Sequence, residues 1–330
     1  MTAPPRISPV DPHDDDALRA WYAAIDAGAR ADRDCPLVST YAAFTFTMRS
    51  PGRRRRRLPF AAYDGAGGVV GAMLVELPLT SDLDTFEVEV DVPPAHRRRG
   101  VGRALWAHAK ALAAEHGRTV AQTEVHVPAA HTPATWPGSL FAEGIGFSTQ
   151  HVEDHLVLDL PAPGADAEVA PGYRLRGWAG PCPDEDVEAY AALQSAMNAD
   201  VPTGGMTRDV VEITPETVRT SEARLAESYL TVVALAETAD GQPVGYTLVF
   251  APHEDPANLL QDDTLVLRAH RGNGLGRVLK EANQRRLDRH CPDARRVHTW
   301  VAETNTAMQA TNARLGFRAV EKLHEMERGL

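Results

Sequence analysis

Apolar and polar positions follow the same order twice along the chain. The stretches 60–78 and 229–250 each place apolar runs on both sides of an Asp-Gly pair, which predicts two strands joined by a tight turn. A third strand is predicted next, with the sequence FEVEVDV at 86–92 and DDTLVL at 262–267. The order of these strands predicts antiparallel pairing in each half.

The second part of each half is also repeated. A helix is predicted after the third strand, because apolar residues recur there near helical spacing. Further strands are predicted at 123–127 and 297–302, and both halves end in a short helix that reaches IGF at 145–147 or LGF at 315–317. The pattern predicts an α/β (α+β) domain with a mixed, mainly antiparallel sheet flanked by helices, built twice.

The position of the repeat predicts the domain organisation. A chain of 330 residues is longer than a single core usually supports. The segment LPAPGADAEVAPG, at 160–172, is rich in Pro, Gly and Ala and has the composition of a linker. We therefore expect a first domain at 1–160, a linker at 161–171 and a second domain at 172–330.

One ten-residue sequence motif occurs in both halves. HRRRGVGRAL occupies 96–105, and HRGNGLGRVL occupies 270–279, each between a predicted strand and a predicted helix. Backbone N–H groups at such a helix start, together with the helix dipole, form a site that favours phosphate groups. The spacing matches neither the phosphate loop of nucleotide hydrolases nor the dinucleotide fingerprint, so another phosphate-containing ligand is indicated.

The shared spacing is Arg, two residues, Gly, one residue, Gly. It resembles the acyl-CoA signature of the GNAT acetyltransferase family, which lies between that family's fourth strand and third helix. The resemblance covers nearly the whole chain, once per half, and includes the Gly-Phe near the end of each half. It implies two tandem GNAT-like domains and acetyl-CoA, or another acyl-CoA, as the cofactor.

The resemblance also implies which residues contact the cofactor. In the second half they are Leu265, Val266, Leu267, Arg271, Gly272, Asn273, Gly274, Leu275, Gly276, Arg277, Asn305 and Asn312. The first half has a matching set, which we expect either to be a structural remnant or to retain CoA or a related phosphate ligand: Val92, Arg97, Arg98, Arg99, Gly100, Val101, Gly102 and Arg103.

The two halves differ after the fifth predicted strand. The segment 299–317 carries Asn305 and Asn312, which match the family's second cofactor segment, and Asn305 can also cap the following helix. The corresponding segment of the first half, 126–147, has no matching Asn and is interrupted by three prolines, so its helix must be short or displaced. We expect the second half to be catalytic and the first to be degenerate, with the opposite assignment left open.

The family joins an acyl thioester directly to an amine, and this chemistry suggests roles for individual residues. A lysine-like amine has a pKa of about 10.4 and needs a base, for which Asp263 is the candidate and Glu303 the reserve. Asp263 is equally compatible with an exposed strand or turn acid. An oxyanion donor is expected at the backbone of Val266 or Leu267. The position where the family often has a proton-donating Tyr holds Asn312, which cannot act as an acid but can hydrogen-bond the leaving thiolate.

Composition bears on the class of partner, on metal and disulfide sites, and on the expected location. The hydrophobic fraction of 43% is ordinary for a globular protein, and the formal net charge of -11 favours a cationic small-molecule amine over nucleic acid as partner. The three cysteines lie far apart and suggest neither a disulfide framework nor a metal site. The sequence has no signal peptide pattern and no apolar run long enough to span a membrane, so we expect a cytoplasmic protein without a membrane partner.

Two features keep other functions open. Five consecutive arginines, Arg53 to Arg57, could contact the phosphates of an aminoacyl-tRNA that serves as acyl donor, although a solvated strand edge explains them more simply. The missing Tyr and the degenerate first half are also compatible with a non-catalytic CoA-binding protein. The loop at 197–212 is expected to cover the acceptor site, where its acids would suit a cationic amine. A monomer and a homodimer are both compatible with the sequence.

Overall fold

The computed structural model describes residues 4–50, 52, 54–162, 168–200 and 204–330. The chain divides into two compact units. Unit 1 comprises Met1–Val152, Thr203–Asp209 and Glu321–Leu330, and unit 2 comprises Glu153–Pro202 and Val210–Val320.

The elements of the first half follow the predicted order. They are β1 (Arg6–Pro9), α1 (Asp15–Arg30), α2 (Tyr41–Arg49), β2 (Arg55–Tyr63), β3 (Val69–Pro78), β4 (Thr85–Asp91), α3 (Val101–Glu115), β5 (Val120–Pro128), α4 (Pro137–Gly144) and β6 (Ser148–Asp159). The predicted hairpin turn lies between β2 and β3. Helix α4 is short, as the prolines before it predict, and it begins at one of them, Pro137.

The elements of the second half repeat this order. They are β7 (Tyr173–Ala179), α5 (Val187–Asp200), α6 (Pro215–Leu225), β8 (Tyr229–Thr238), β9 (Pro243–Pro252), β10 (Asn258–Val266), α7 (Leu275–His290), β11 (Arg296–Ala302), α8 (Thr306–Arg314) and β12 (Arg318–Gly329). Strand β10 begins four residues before the predicted strand, because Asn258–Leu260 pair with β11.

Each unit contains a mixed sheet of the predicted kind. The strand order is β1-β2-β3-β4-β5-β12 in unit 1 and β7-β8-β9-β10-β11-β6 in unit 2. Neighbouring strands are antiparallel except β4 with β5 and β10 with β11, which are parallel. The prediction of a mainly antiparallel sheet flanked by helices, built twice, is confirmed.

The last strand of each half pairs in the unit formed mainly by the other half. In unit 1, Glu321–Gly329 of β12 pair with β5. In unit 2, Glu153–Asp159 of β6 pair with β11. The units therefore group residues differently from the predicted division at 161–171, which stays a prediction, and residues 163–167 of that segment lie outside the described residues.

Apolar cores lie on both faces of each sheet. In unit 1, α3 packs on one face with Leu105 and Trp106, and α1 packs on the other with Leu18 and Trp21. In unit 2, α7 and α8 cover one face, while α5 and α6 cover the face that carries Tyr246. Strands β4 and β10 each lead from the sheet into one copy of the repeated glycine segment.

Among the described helices, none combines the length and the apolar composition that crossing a bilayer requires.

Candidate active site

The glycine phrase of the second half forms an open turn at the start of α7. Gly272 and Gly274 have φ angles of 84° and 72°, a left-handed conformation that glycine adopts without strain. Within the described part of the chain, no acceptor meets the backbone N–H groups of Gly272, Gly274 and Gly276. A Cβ added at any of these three glycines would meet nothing within 4 Å. The turn therefore offers free donors and space for an anion at a helix N-terminus.

Arg271 holds this turn in place. Its Nε donates to the carbonyl oxygen of Val266 at 2.9 Å, and its terminal nitrogen pairs with the carboxylate of Asp200 at the end of α5. Arg268 donates to the same carboxylate at 2.9 Å. The described contacts of Arg271 are thus structural, and the predicted contact with a cofactor stays a prediction.

A gap opens in the sheet beside the turn. The parallel strands β10 and β11 pair only over Asn258–Leu260 and Arg296–His298. Beyond these residues β10 stays paired with β9, and β11 stays paired with β6. The two strands diverge toward the glycine turn, and the backbone groups on their facing edges are available to a ligand.

A chain of hydrogen-bonded polar side chains, of which the two histidines are buried, lies at the narrow end of the gap. Asn258 donates through Nδ2 to the Asp255 carboxylate at 2.9 Å, so its Oδ1 must face His298. His298 then donates through Nε2 to Asn258 at 3.2 Å and accepts at Nδ1 from Nε2 of His155, 2.9 Å away. This chain fixes one protonation pattern for both histidines and ties β10 to β11 where they pair.

A β-bulge places two carboxylates at the gap. Gln261 pairs with Val249 and Thr264 with Thr247, so Asp262 and Asp263 together face one residue of β9. A bulge of this kind turns consecutive side chains toward the same face, which a regular strand does not do. The prediction singled out Asp263, and the structure adds Asp262 beside it. Two adjacent acids in the predicted strand were the only sequence signal for this second carboxylate.

The two carboxylates differ in their surroundings. Asp263 accepts a hydrogen bond from the Tyr246 hydroxyl at 2.7 Å. Asp262 is exposed at the surface of β10, yet desolvation by the surrounding protein, together with the charge of Asp263, raises the pKa of Asp262 to about 7. A carboxyl group with this pKa can accept and release a proton near neutral pH.

Only one of the two predicted oxyanion donors remains available. The N–H of Leu267 donates to the carbonyl of Val244 at 2.9 Å, which continues the ladder with β9. Because N–H directions alternate along a strand, that of Val266 points toward the edge where β11 has diverged. The geometry therefore favours Val266 over Leu267 as the donor.

Helix α8 carries the two predicted asparagines. Asn305 caps the helix, since its side chain accepts from the N–H of Met308 at 3.2 Å, and this part of its predicted role is confirmed. Asn312 is fully buried, and its Oδ1 accepts from Nζ of Lys280 on α7 at 2.9 Å. Sequence reasoning missed Lys280. The reserve base Glu303 is exposed just after the end of β11.

The first half has the same turn but not the same open site. Arg98 and Gly100 have φ angles of 62° and 84°, matching Gly272 and Gly274. A Cβ on Gly102 would lie 3.1 Å from the Phe141 ring, so α4 covers this helix start. Strands β3 and β4 pair from Ala72↔Asp91 to Glu76↔Glu87 without a register shift, so no bulge forms there.

Two arginines of the predicted basic run form ion pairs within the protein. In the arginine run, Arg55 pairs with Glu76 and Glu87, and Arg57 donates to Glu76 at 2.6 Å. Arg53 lies outside the described residues. This pairing leaves the aminoacyl-tRNA alternative without support from these two side chains.

The acids of the loop at 197–212 are also engaged. Asp200 binds the two arginines of the glycine turn, and Asp209 accepts from the N–H of Asp82 at 2.8 Å. Residues 201–203 of this loop lie outside the described residues. The acids at Asp200 and Asp209 thus hold the backbone and other side chains, and the contribution to amine binding that was expected of them has no support here.

Over residues 4–50, 52, 54–162, 168–200 and 204–330, no group of three His, Cys, Asp or Glu side chains could hold a metal ion.

The open turn fits the pyrophosphate of an acyl-CoA, since it offers free N–H donors and space at a helix start. The chain belongs to the GNAT acetyltransferase family, whose model, "Acetyltransferase (GNAT) family", matches residues 18–134 and 204–317. It is a GNAT-type N-acetyltransferase, and its tandem arrangement is confirmed by two matches within one chain.

Other proteins are similar to most of the chain. The chain is 30% identical to a protein named mycothiol acetyltransferase from Salinispora tropica, over 73% of this chain and 72% of that protein. It is 30% identical to the one from Salinispora arenicola, over 82% and 80%. Among solved structures it is similar to a tandem GNAT protein from the clavulanic acid biosynthesis pathway, determined without AcCoA, with 29% identity, 98% coverage of both chains and a TM-score of 0.80.

Proposed function

We propose that the protein transfers an acetyl group from acetyl-CoA to a primary amine of a small molecule, and that its second half performs the reaction. The observation that carries this proposal is the pair of carboxylates at the bulge of β10, next to an open glycine turn. The first half has the turn but neither the bulge nor the open space at its third glycine.

Backbone N–H groups of the chain bind two parts of the acetyl-CoA in this proposal. When bound, acetyl-CoA supplies an acetyl thioester that is activated toward an amine. The N–H groups of Gly272, Gly274 and Gly276 hold the pyrophosphate at the start of α7. The N–H of Val266, on the open edge of β10, holds the oxygen that becomes negative during attack.

Proton removal falls to the carboxylate pair. At neutral pH roughly one lysine-like amine in a thousand is uncharged, so a base must remove a proton before or during attack. Asp262 has a pKa of about 7 and lies at the gap, and Asp263 is its hydrogen-bonded neighbour. We assign proton acceptance to this pair rather than to Asp263 alone.

The small-molecule amine is supported by charge and by similarity. The formal net charge of -11 and the two carboxylates at the gap favour a cationic acceptor over an anionic one. The curated relatives are named for mycothiol, a small molecule, and two of the arginines that would have favoured tRNA are paired with acids.

Cofactor binding is tested first. Gly276→Leu fills the open space without a left-handed backbone, so we expect acetyl-CoA affinity, measured by calorimetry, to fall at least about tenfold. Gly144→Leu, also at an open helical position, is the matched control and should bind normally. Arg99→Glu and Arg103→Glu probe the first half. If these two variants lose binding while Gly276→Leu keeps it, the site lies in the first half.

Catalysis is tested with a panel of small primary amines and release of the CoA thiol as the signal. Asp262→Asn and Asp263→Asn should bind acetyl-CoA like the wild type but lose turnover by about 100-fold or more. Acetyl-CoA binding without wild-type turnover on any amine would instead support the non-catalytic alternative.

A further inference from the structure

A buried tyrosine is hydrogen-bonded to one member of the carboxylate pair of β10. Tyr246 lies on β9, and none of its surface is exposed. Its hydroxyl donates to Oδ2 of Asp263 at 2.7 Å. Burial, followed by the charge of Asp263, raises the pKa of Tyr246 above its ordinary value of about 10. The hydroxyl therefore keeps its proton near neutral pH and acts as a permanent donor to Asp263.

Edge-on aromatic contacts fix the position of this hydroxyl. Tyr190 of α5 packs against Tyr246 with ring centres 5.3 Å apart and ring planes at 86°. Trp178 of β7 packs against Tyr190 in the same way, at 5.4 Å and 87°. The Tyr190 hydroxyl is hydrogen-bonded to Gln194. Because the oxygen of a tyrosine lies on the axis of its ring, the packing that holds the Tyr246 ring also holds its oxygen beside Asp263.

The hydrogen bond makes the two acids of the pair unequal. A donor to a carboxylate stabilises the ionised form, so the Tyr246 hydroxyl favours Asp263 as an anion. Asp262 is exposed on the same strand, and desolvation, followed by the charge of Asp263, raises its pKa to about 7. A single proton shared by the pair is therefore held by Asp262.

Two further titratable side chains lie around the pair. On α5, burial raises the pKa of Tyr190, so this side chain is neutral near pH 7. On β11, His298 lies at the narrow end of the gap and is hydrogen-bonded through both ring nitrogens, to Asn258 and His155. The variant Asp262→Asn retains both side chains and so separates their titration from that of Asp262.

The first half has an acid at the equivalent position without the tyrosine. By the spacing of the repeated glycine motif, Ala72 corresponds to Tyr246 and Glu89 to Asp263. Desolvation, followed by the charge of Asp91, raises the pKa of Glu89 to about 7. The methyl group of Ala72 cannot donate a hydrogen bond. The Tyr246 hydroxyl thus supplies a stabilising donor that the first half lacks at this position.

We propose that Tyr246 is a positioning residue that keeps Asp263 ionised and thereby makes Asp262 the proton acceptor of the pair. This inference rests on the proposed function. The amine nitrogen forms a bond to the acetyl carbon, and the C–S electron pair moves to sulfur, which leaves as a thiolate. The surplus proton of the nitrogen goes to a carboxylate oxygen of Asp262. Tyr246 keeps its own proton and, being fully buried, acts only through Asp263.

The hydrogen bond is tested by carbon NMR of protein labelled at the aspartate carboxyl carbons, without substrate. In Asp262→Asn the Asp263 carboxyl titrates without its coupled neighbour, and its signal is assigned by its loss in Asp263→Asn. Adding Tyr246→Phe should move this titration up by about 1–2 pH units, because a hydrogen bond to a charged group is lost. Adding Tyr190→Phe instead is the matched control. It removes another buried hydroxyl, and the titration of Asp263 should stay in place.

The consequence for catalysis is tested by the pH dependence of kcat/KM on a small primary amine. In Tyr246→Phe the proton is shared with Asp263, so the limb near pH 7 should move to higher pH. Asp263→Asn, which removes the charge beside Asp262, should move it the other way, and Tyr190→Phe should keep the wild-type limb.

Two results would overturn the inference while leaving the proposed function intact. They are an Asp263 titration that does not move when Tyr246→Phe is added, and a kcat/KM limb that does not move in Tyr246→Phe. Absence of wild-type turnover on every amine overturns the proposed function instead. The carboxyl titration then still shows whether the hydrogen bond stabilises the ionised form of Asp263.

Discussion

At the residue scale, the carboxylates of the bulge set the expected pH response. The base must be deprotonated to act, so kcat/KM should rise with pH through a limb near pH 7, the pKa of Asp262. Asp262→Asn should remove this limb. Asp263→Asn should move it to lower pH, because the charge of Asp263 raises the pKa of Asp262.

The measurement is a series of initial rates from pH 5.5 to 9 at low amine concentration, where the titration of the amine itself gives a separate limb at higher pH. Asp240→Asn, in the exposed β8–β9 turn, is the control and should leave the profile unchanged. A limb that persists near pH 7 in Asp262→Asn would assign the titration to another group.

The buried pair of Lys280 and Asn312 has a predicted cost in stability. Replacing both by apolar residues of similar size, Lys280→Met with Asn312→Leu, should raise the free energy of unfolding at pH 7 by about 1–3 kcal/mol. Burial lowers the pKa of Lys280 to about 7, so between pH 7 and about 10.4 the unfolded wild type binds more protons than the folded protein, and wild-type stability rises with pH in that window. The double variant should lack this rise.

Urea unfolding at pH 7 and pH 9.5 measures both effects. Lys110→Met should keep the wild-type pH dependence, since its lysine is exposed. If the double variant were less stable than the wild type at both pH values, the pair would be a stabilising part of the core rather than a cost.

Individual residues differed in how far the sequence could predict them. Asn305 was predicted because helix capping is a local property of a few residues. Asp262 was missed because strict alternation turns neighbours to opposite faces, and a bulge shows only in the pairing with β9. Lys280 was missed because lysine is rarely buried, and its contact with Asn312 joins residues distant in the sequence.

At the element scale, the two glycine turns have the same backbone but different residues. Arg98 adopts a φ of 62° where the second copy has Gly272 at 84°. A side chain in this conformation is strained, so Arg98→Gly should raise the free energy of unfolding by about 1 kcal/mol. Gly272→Ala should lower it by a similar amount.

Chemical denaturation of both variants measures these changes. Arg99→Gly is the control, because Arg99 has no positive φ and glycine there should give no gain. A loss of stability in Arg98→Gly would mean that contacts of the arginine side chain outweigh the backbone strain.

Most elements could be predicted because the repeat gave two versions of each. The hairpins, the third strands and the strands after the glycine helices all appear at the predicted places. The divergence of β10 from β11 could not be predicted, since it depends on which neighbour each strand keeps beyond Leu260 and His298.

At the scale of the whole molecule, a buried ion pair holds the last strand in unit 1. Arg33 donates from two nitrogens to the two carboxylate oxygens of Glu321 in β12, at 2.8 and 2.6 Å. Only 7% and 2% of these side chains are exposed. Arg33→Met leaves the carboxylate without this partner, and the free energy of unfolding should fall by about 3–5 kcal/mol.

The double variant Arg33→Met with Glu321→Met should lose much less, because no unpaired charge remains at the pair. Thermal or urea unfolding of the three proteins gives the comparison. Equal losses in the single and double variants would show that packing, rather than charge, secures β12.

The partner of each final strand could not be predicted from sequence order. The pattern places β6 and β12 at the ends of their own halves and gives no information on which fifth strand each one joins. Pairing between distant segments is decided by the assembled sheet, in which Glu321–Gly329 lie along β5 and Glu153–Asp159 along β11.

This exchange of strands has a consequence for truncation of the chain. Deletion of the first half would remove β6 from the sheet of unit 2 and expose the edge of β11, and an unpaired strand edge promotes aggregation. We therefore expect a protein truncated to the second half to aggregate, because the first half supplies a strand to the sheet of unit 2.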